Sequence, residues 1–215
     1  LNTCNIKEKL ISDTSVTYIT FDNLEQTGII RQGFSTRLGG VSEGEFASMN
    51  LSFARNDDPL AVMENYRRFT AIMDCTPDDV AASHQTHTTN VRRVSSADKG
   101  KGVTRDKDYS DIDGLITDES GVLLACFFAD CVPLYFVDPV HHAIGLAHSG
   151  WRGTVGRMGQ KMIDSMSHAF GTRPEEVQAA IGPSICQSCY EVSEEVAVAF
   201  AKQFTPGRQL AVEYL

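Results

Sequence analysis

Several things are scarce in this sequence of 215 residues. It has one tryptophan, seven prolines and no run of about 18 apolar residues, since its most apolar stretch, Val122 to Val137, is interrupted by Asp130 and Pro133. No membrane-spanning helix is expected, and the membrane is not an expected partner. Basic charge is also short: 19 Lys and Arg stand against 28 Asp and Glu, for a formal net charge of -9, and Arg67-Arg68 and Arg92-Arg93 are the only adjacent basic pairs. Such a balance does not suit a phosphate backbone, so no nucleic-acid partner is expected. The first residues, Leu1 to Glu8, have no apolar core after a basic start, which is not the pattern of a secretory signal, and a cytoplasmic location is the expectation. Gly33, Gly39 and Gly40 do not compose a dinucleotide fingerprint, and no GxxxxGK[ST] phosphate loop occurs. Repeats, low-complexity tracts and linkers rich in Pro, Gly and Ser are missing too.

What is present describes one globular domain over residues 1–215, with 42% hydrophobic residues. A chain of this size buries on the order of 70% of its unfolded surface, so it needs neither a metal nor a disulfide framework to fold. Any metal it holds is free to serve chemistry. The six cysteines (Cys4, Cys75, Cys126, Cys131, Cys186 and Cys189) read as reduced thiols, with Cys126 in the core and Cys186/Cys189 a buried pair.

Strands are expected over Val16–Phe21, Ile29–Phe34, Val80–Ala82, Val91–Val94, Gly114–Thr117, Val122–Phe128, Pro133–Val137, Ala143–Ala147 and Val177–Ile181. The continuous apolar runs among them suit strands covered on both faces. Asp57-Asp58-Pro59 opens a helix carrying Met63, Tyr66, Phe69 and Met73, a second helix runs from about Thr154 to Ala169 before Gly171, and Ser193 caps a last one with Val196, Phe200 and Phe204. Ser35 to Asn50 is a long loop, and Ser95 to Asp111 reads as a mobile surface loop. Helices at both ends of a strand-rich middle indicate an α+β sandwich rather than a doubly wound sheet.

Reactive side chains sit at three strand ends: His87 in a polar loop, Cys131 after Ala129-Asp130, and His148 after Gly145-Leu146-Ala147. Two imidazoles and a thiolate form an N/S set suited to zinc or copper, and three protein ligands leave a fourth position open, as in catalytic sites. These residues lie too far apart in sequence for any compact zinc motif, so spacing alone does not assign the metal. Among the other histidines, His84 shares a loop with His87, His141-His142 reads as a solvated pair in a turn, and His168 suits a helix C-terminus. Asp130 and Arg152 each stand beside a candidate ligand. They read equally as a structural ion pair or as functional groups, Asp130 orienting a histidine or relaying a proton.

Phe34-Ser35-Thr36-Arg37-Leu38-Gly39-Gly40, Ser48-Met49-Asn50-Leu51, His84-Gln85-Thr86-His87, Asp113-Gly114-Leu115-Ile116-Thr117, Ala129-Asp130-Cys131-Val132-Pro133, Ala147-His148-Ser149-Gly150-Trp151-Arg152-Gly153 and Ala180-Ile181-Gly182-Pro183-Ser184 with Cys189-Tyr190 resemble, in this order, the laccase-domain family. The resemblance implies an α/β/β/α layered sandwich with mixed sheets and metal ligands at His87, Cys131 and His148, with Zn2+ or Cu2+ as the ion. It implies a purine nucleoside phosphorylase acting on adenosine, inosine or methylthioadenosine with phosphate, having adenosine deaminase activity, and a monomer or homodimer. Cys131, Asp130 and Arg152 become the expected catalytic residues, and Asn50, Gln85 and Arg152 the expected substrate contacts, because amides both donate and accept while a guanidinium grips phosphate.

Copper-dependent phenol oxidation is one rival, weakened because one mononuclear site does not supply the several coppers that oxygen reduction needs. A metal-free hydrolase with Cys131 as nucleophile and His148 as base, editing cell-wall precursors, is another. A metal-dependent interaction module is the non-catalytic rival. The sequence departs from the family pattern at His84 and Thr88, and it lacks the further cysteine and the Phe-Ser-x-Arg-Arg stretch expected near the C-terminus, so the domain reads as shortened.

Overall fold

The computed structural model describes residues 4–11 and 13–204. In chain order its strands are β1 (Cys4–Ile11), β2 (Thr14–Phe21), β3 (Phe34–Ser35), β4 (Val80–Ala82), β5 (Val91–Arg93), β6 (Gly114–Thr117), β7 (Leu123–Ala125), β8 (Val132–Asp138), β9 (Ala143–Ser149) and β10 (Gln178–Ile181). The helices are α1 (Asp22–Glu25), α2 (Pro59–Ile72), α3 (Trp151–Val155), α4 (Met158–Phe170) and α5 (Glu194–Phe204).

A five-stranded sheet, in the order β10-β8-β9-β6-β5, is antiparallel except for its parallel β5–β6 pair. A three-stranded sheet β1-β2-β3 and a parallel pair β4-β7 form the second layer. Strand alternation builds the layers. In the large sheet, Ile116, Leu134, Phe136, Ala143 and Ala147 face α4 and pack on Met158, Met162 and Met166, which recur every four residues and are wholly buried. The opposite face turns Leu115 toward Ala81 and Val122, and Tyr135, Val137 and Ile144 toward Phe21. On the second layer, Val16 and Leu123 point away from the large sheet, into a cluster with Ile72 and Met73 at the end of α2. The order is thus helix, sheet, sheet, helix, and the α+β layered expectation holds.

Asp58 caps α2, its Oδ1 accepting the Leu60 N–H at 2.9 Å, with Pro59 in the first turn. One face of α2 carries the wholly buried Asn65, whose amide accepts from Val41 N and donates to the carbonyls of Ser48 and Asn50. That single side chain anchors the long loop between β3 and α2.

The structure revises several boundaries. Of Ile29–Phe34, only Phe34 joins the ladder, pairing with Ile19. Val122–Phe128 yields a strand only over Leu123–Ala125 because the Gln85 amide takes the ladder's place beyond it: Gln85 Oε1 accepts from Phe127 N at 2.7 Å and Nε2 donates to Phe127 O at 2.6 Å. The helix expected over Thr154–Ala169 is two helices, broken where Arg157 turns left-handed with φ 58°. Strand β1 was not expected, since its charged, exposed residues gave no apolar pattern; it pairs with β2 from Cys4↔Phe21 to Ile11↔Thr14. The segment Ser95 to Asp111 is pinned rather than loose. Its Asp98 takes Lys101, Arg92 and the Ser95 N–H, Lys101 also holds Asp108, and the Tyr109 hydroxyl donates to Ala82 O.

Candidate metal centre

Strand register assembles the site. Antiparallel pairing sets Pro133 opposite His148 and Val132 opposite Ser149, so Cys131, just before β8, arrives beside the end of β9. On the other side of β9, Gly114 opposes Ala147, and the His148 N–H donates to Asp113 O at 2.8 Å. Asp113 therefore stands next to His148. Its carboxylate then gathers the third loop, between β4 and β5: Oδ1 accepts from His87 N at 3.1 Å, and Oδ2 accepts from Thr86 N at 3.1 Å, Thr88 N at 2.9 Å and Thr88 Oγ1 at 2.9 Å. His87 has a left-handed backbone, φ 65°, a conformation rarely taken by residues other than glycine. Three consecutive N–H groups converging on one buried carboxylate supply the interactions that hold it there.

The result is a compact donor set in which the ligand atoms of His87, Cys131 and His148 all lie within 4.8 Å of one another. Asp113 Oδ1 lies 2.8 Å from His148 Nδ1, which fixes the ring and leaves Nε2 as the free nitrogen. The two imidazoles meet edge to face, with centroids 5.0 Å apart. Gly150 keeps the space between ligands open, for a Cβ there would lie 3.0 Å from both Cys131 Sγ and His87 Cδ2. Mixed N and S donors, an oriented histidine and a glycine-made gap fit a zinc-sized cation.

Electrostatics agrees with that fit. Burial pushes the His148 pKa down, and nearby His87 adds to this against the opposing pull of Asp113, so the ring is neutral near pH 7, as a ligand must be. Burial works to raise the Asp113 carboxyl, but the bonds from Thr88, His148 and Thr86 hold it below the usual carboxylate range. Burial, with help from Asp130 and Asp113, pushes the Cys131 thiol up. A thiol raised in this way is a poor metal-free nucleophile, whereas a cation would offset all three effects.

The set opens into a cavity of about 480 Å³ whose walls include Ser83, His84, Gln85, Lys107, Phe127 and Asp130. A second cavity, of about 490 Å³, lies between the two sheet layers and is lined mainly by apolar side chains, with Asn50 and Cys126 on its wall.

The remaining expected site residues are dispersed. Asp130 is exposed at the edge of the polar cavity, and its carbonyl accepts from Ile185 N at 3.0 Å. Gln85 lines that cavity with its amide engaged by Phe127. The Asn50 amide donates to Asp57 Oδ2 at 2.8 Å and accepts from Ser52 N at 3.0 Å. Arg152 is exposed on α3, stacked on the Trp151 ring with its guanidinium carbon 4.2 Å from the centroid, and is not among the residues lining the polar cavity. Among the described residues, no ion pair joins it to Asp130.

Other expectations change. Cys186 and Cys189 are exposed, not buried, and both are free. His141 is no solvated residue: its Nδ1 lies 2.8 Å from Asp138 Oδ2 and 3.5 Å from Glu176 Oε2, at the far end of the β8–β9 hairpin. Cys126, expected in the core, is half-buried just past the end of β7, and desolvation pushes its thiol up to about 12. Asp113, Gly150 and Lys107 were missed as site residues. The one available signal was Asp113 itself, an acid placed directly before an apolar strand.

The family model for multi-copper polyphenol oxidoreductase laccase matches residues 31–213. The chain belongs to this family. A relative named purine nucleoside phosphorylase, from Deinococcus radiodurans, is 43% identical over 171 residues, covering 80% of this chain and 63% of its own length. Adenosine deaminase RL5, from an unknown prokaryotic organism, is 32% identical over 173 residues, covering 80% of this chain and 66% of its own. Among solved structures, YlmD from Geobacillus stearothermophilus superposes with a TM-score of 0.81 at 32% identity, covering 96% of this chain and 75% of that one. This laccase-domain chain thus spans less than two thirds of the length of these two curated relatives. Among the described residues, no helix is long and apolar enough to cross a membrane.

Proposed function

We propose that this laccase-domain chain is a metal-dependent purine nucleoside phosphorylase with adenosine deaminase activity, its ion held by His87, Cys131 and His148. The observation that carries the reading is the convergence of those three ligand atoms within 4.8 Å at an open, polar cavity. The names of the Deinococcus relative and of RL5 support the two reactions. Zinc suits the N/S set; copper is the alternative ion. The chemistry such an ion supplies is Lewis acidity, which polarises an oxygen and makes water nucleophilic near neutral pH.

The protein's own groups do the rest. Asp113 holds His148 in one tautomer and fixes the His87 loop, acting as a positioning residue. Asp130, exposed beside Cys131, is the group that in this reading accepts a proton from water and returns it to the leaving group. Gln85 shapes the cavity wall through Phe127. Asn50 is spent on its own turn, and Arg152 on Trp151, so neither is assigned a substrate contact.

Two observations weigh against the rivals. The raised Cys131 thiol disfavours a metal-free Cys/His amidase. Among the described residues, the only other group of potential ligands is carboxylate-rich Asp138, His141 and Glu176, at the far end of the same hairpin, which does not build a multi-copper cluster for phenol oxidation.

The test is incubation of the zinc-loaded protein with adenosine, with and without inorganic phosphate. Inosine reports deamination, and adenine with ribose 1-phosphate reports phosphorolysis. Absence of both sets of products would overturn the proposal.

A further inference from the structure

Phosphorolysis requires a cation for the phosphate, and the arginine expected to supply it is stacked on Trp151 outside the cavity. We propose that Lys107 anchors inorganic phosphate in the polar cavity. The inference rests on the phosphorylase reading, and it stands on how the protein treats its lysines. Lys7, Lys9, Lys99 and Lys101 each bind a carboxylate, whereas Lys161 and Lys202 are exposed to solvent. Lys107 alone among the described lysines is half-buried with no carboxylate in ion-pair range. In a chain with net charge -9, a half-buried cation left unpaired is conspicuous.

Its position is built. The ammonium donates to Ser83 O at 2.9 Å, in the same loop that carries His84, Gln85 and His87. An ammonium has three donors, so two remain for a ligand in the cavity. The stem lies against Gly102, where a Cβ would come within 3.3 Å of Lys107 Cδ and 2.9 Å of the Ala82 Cβ. Gly102 has φ 89°, so the position favours glycine on backbone grounds as well. Burial lowers the Lys107 pKa with no opposing carboxylate, the environment that an incoming anion relieves. The one acid on the same cavity wall, Asp130, is exposed at the rim, and a divalent ion on one thiolate and two neutral imidazoles adds a net positive charge across from Lys107.

In the reaction, a phosphate oxygen forms a bond to ribose C1′ as the C1′–N9 bond breaks. The electron pair leaves with the purine, which takes up a proton, and ribose 1-phosphate remains. Lys107 holds the attacking phosphate through charge-assisted hydrogen bonds. Deamination uses water and has no need of that contact.

The experiment compares Lys107→Met with Lys107→Arg in the zinc-loaded protein. Methionine keeps an unbranched stem of similar length, and arginine keeps the charge and a donor for Ser83 O. Phosphate binding is followed by 31P NMR without nucleoside, and the KM for phosphate is measured separately from that for the nucleoside. The expected result is phosphate binding weakened by on the order of ten- to a hundred-fold in Lys107→Met, substantially restored in Lys107→Arg, with the nucleoside KM moving far less. Equal phosphate binding in wild type and Lys107→Met overturns the inference and leaves the phosphorylase reading standing. Phosphate binding that depends on Lys107 in a protein that turns over no nucleoside supports the anion site and overturns the phosphorylase reading instead.

Discussion

The two cavities have nearly the same volume, about 480 Å³ and about 490 Å³, and opposite characters. The one between the sheet layers is walled largely by apolar residues of β7, β8, β9 and α2, together with the segments 30–33 and 49–52. The one above the strand ends is walled by loops, and there backbone direction and hydrogen bonding decide what faces it. Each holds a cysteine on its wall, Cys126 in the first and Cys131 in the second, five residues apart in sequence. The Cys126 thiol is pushed up to about 12 by burial in apolar surroundings, with its Sγ 3.8 Å from the Leu146 carbonyl. Cys131 faces two imidazoles. Size therefore says little about where chemistry sits; what separates the two is whether polar groups at strand ends are brought together by a charged residue such as Asp113.

The same substitution at both cysteines tests this contrast most strongly. Cys131→Ser is expected to lose bound zinc and to drop nucleoside turnover by more than about 100-fold, with the fold intact, because a hydroxyl is a poor zinc ligand. Metal content per protein and product formation read the outcome, and a variant that keeps zinc but loses activity would point instead to Cys131 as a nucleophile. Next in size is Asp113→Asn. The amide nitrogen replaces one of the two oxygens that between them accept from three backbone N–H groups, a hydroxyl and the His148 ring. Zinc affinity should fall by about 10- to 100-fold in a chelator competition, and stability by about 2 kcal/mol or more. An unchanged affinity would mean that Asp113 supports the loop without orienting the ligand.

These expectations also mark what was legible in the sequence. The candidate ligand positions were legible as polar residues at strand ends, as His148 is after Gly145-Leu146-Ala147, but spacing alone left them a weak signal, and it was the resemblance to the family that joined them into one set. Most strands of the large sheet were visible directly, their apolar runs being long and unbroken. What stayed hidden was carried by partners far away in sequence. Gln85 ends the β7 ladder through Phe127, Arg157 breaks a helix by its left-handed backbone, and Asp113 gathers a loop some 26 residues distant from it. Strand β1 was hidden for another reason, since it is an edge strand held by ladder bonds and by ion pairs from Lys7 and Lys9, while its apolar Ile6 and Leu10 face solvent.

On the apolar side, Cys126→Ser is the counterpart. A serine hydroxyl in this setting exchanges a weakly polar thiol for a group that needs a stronger partner, and the groups within reach are the carbonyl of Leu146 and the Ser83 side chain. The expected cost is about 1–2 kcal/mol in denaturant unfolding, with zinc content and turnover retained. Loss of zinc in this variant would dissolve the distinction between the two cavities.

The smallest effect belongs to the network that pins the segment carrying Lys107. Burial works to raise the Asp98 carboxyl, but Lys101, the Ser95 N–H and Arg92 lower it from the usual 3.8 to about 2. A carboxyl depressed on folding adds stability above its unfolded value and loses it as pH falls through the folded one. The wild type should therefore lose an Asp98 contribution of about 1 kcal/mol between roughly pH 4 and pH 2, after allowance for solvent at the surface-facing partners. Asp98→Asn should be less stable at neutral pH and show a flatter acid limb, read by urea unfolding at a series of pH values. If the two proteins trace parallel curves, the segment is fixed by its backbone bonds, and the charge network contributes little to holding Lys107 over the polar cavity.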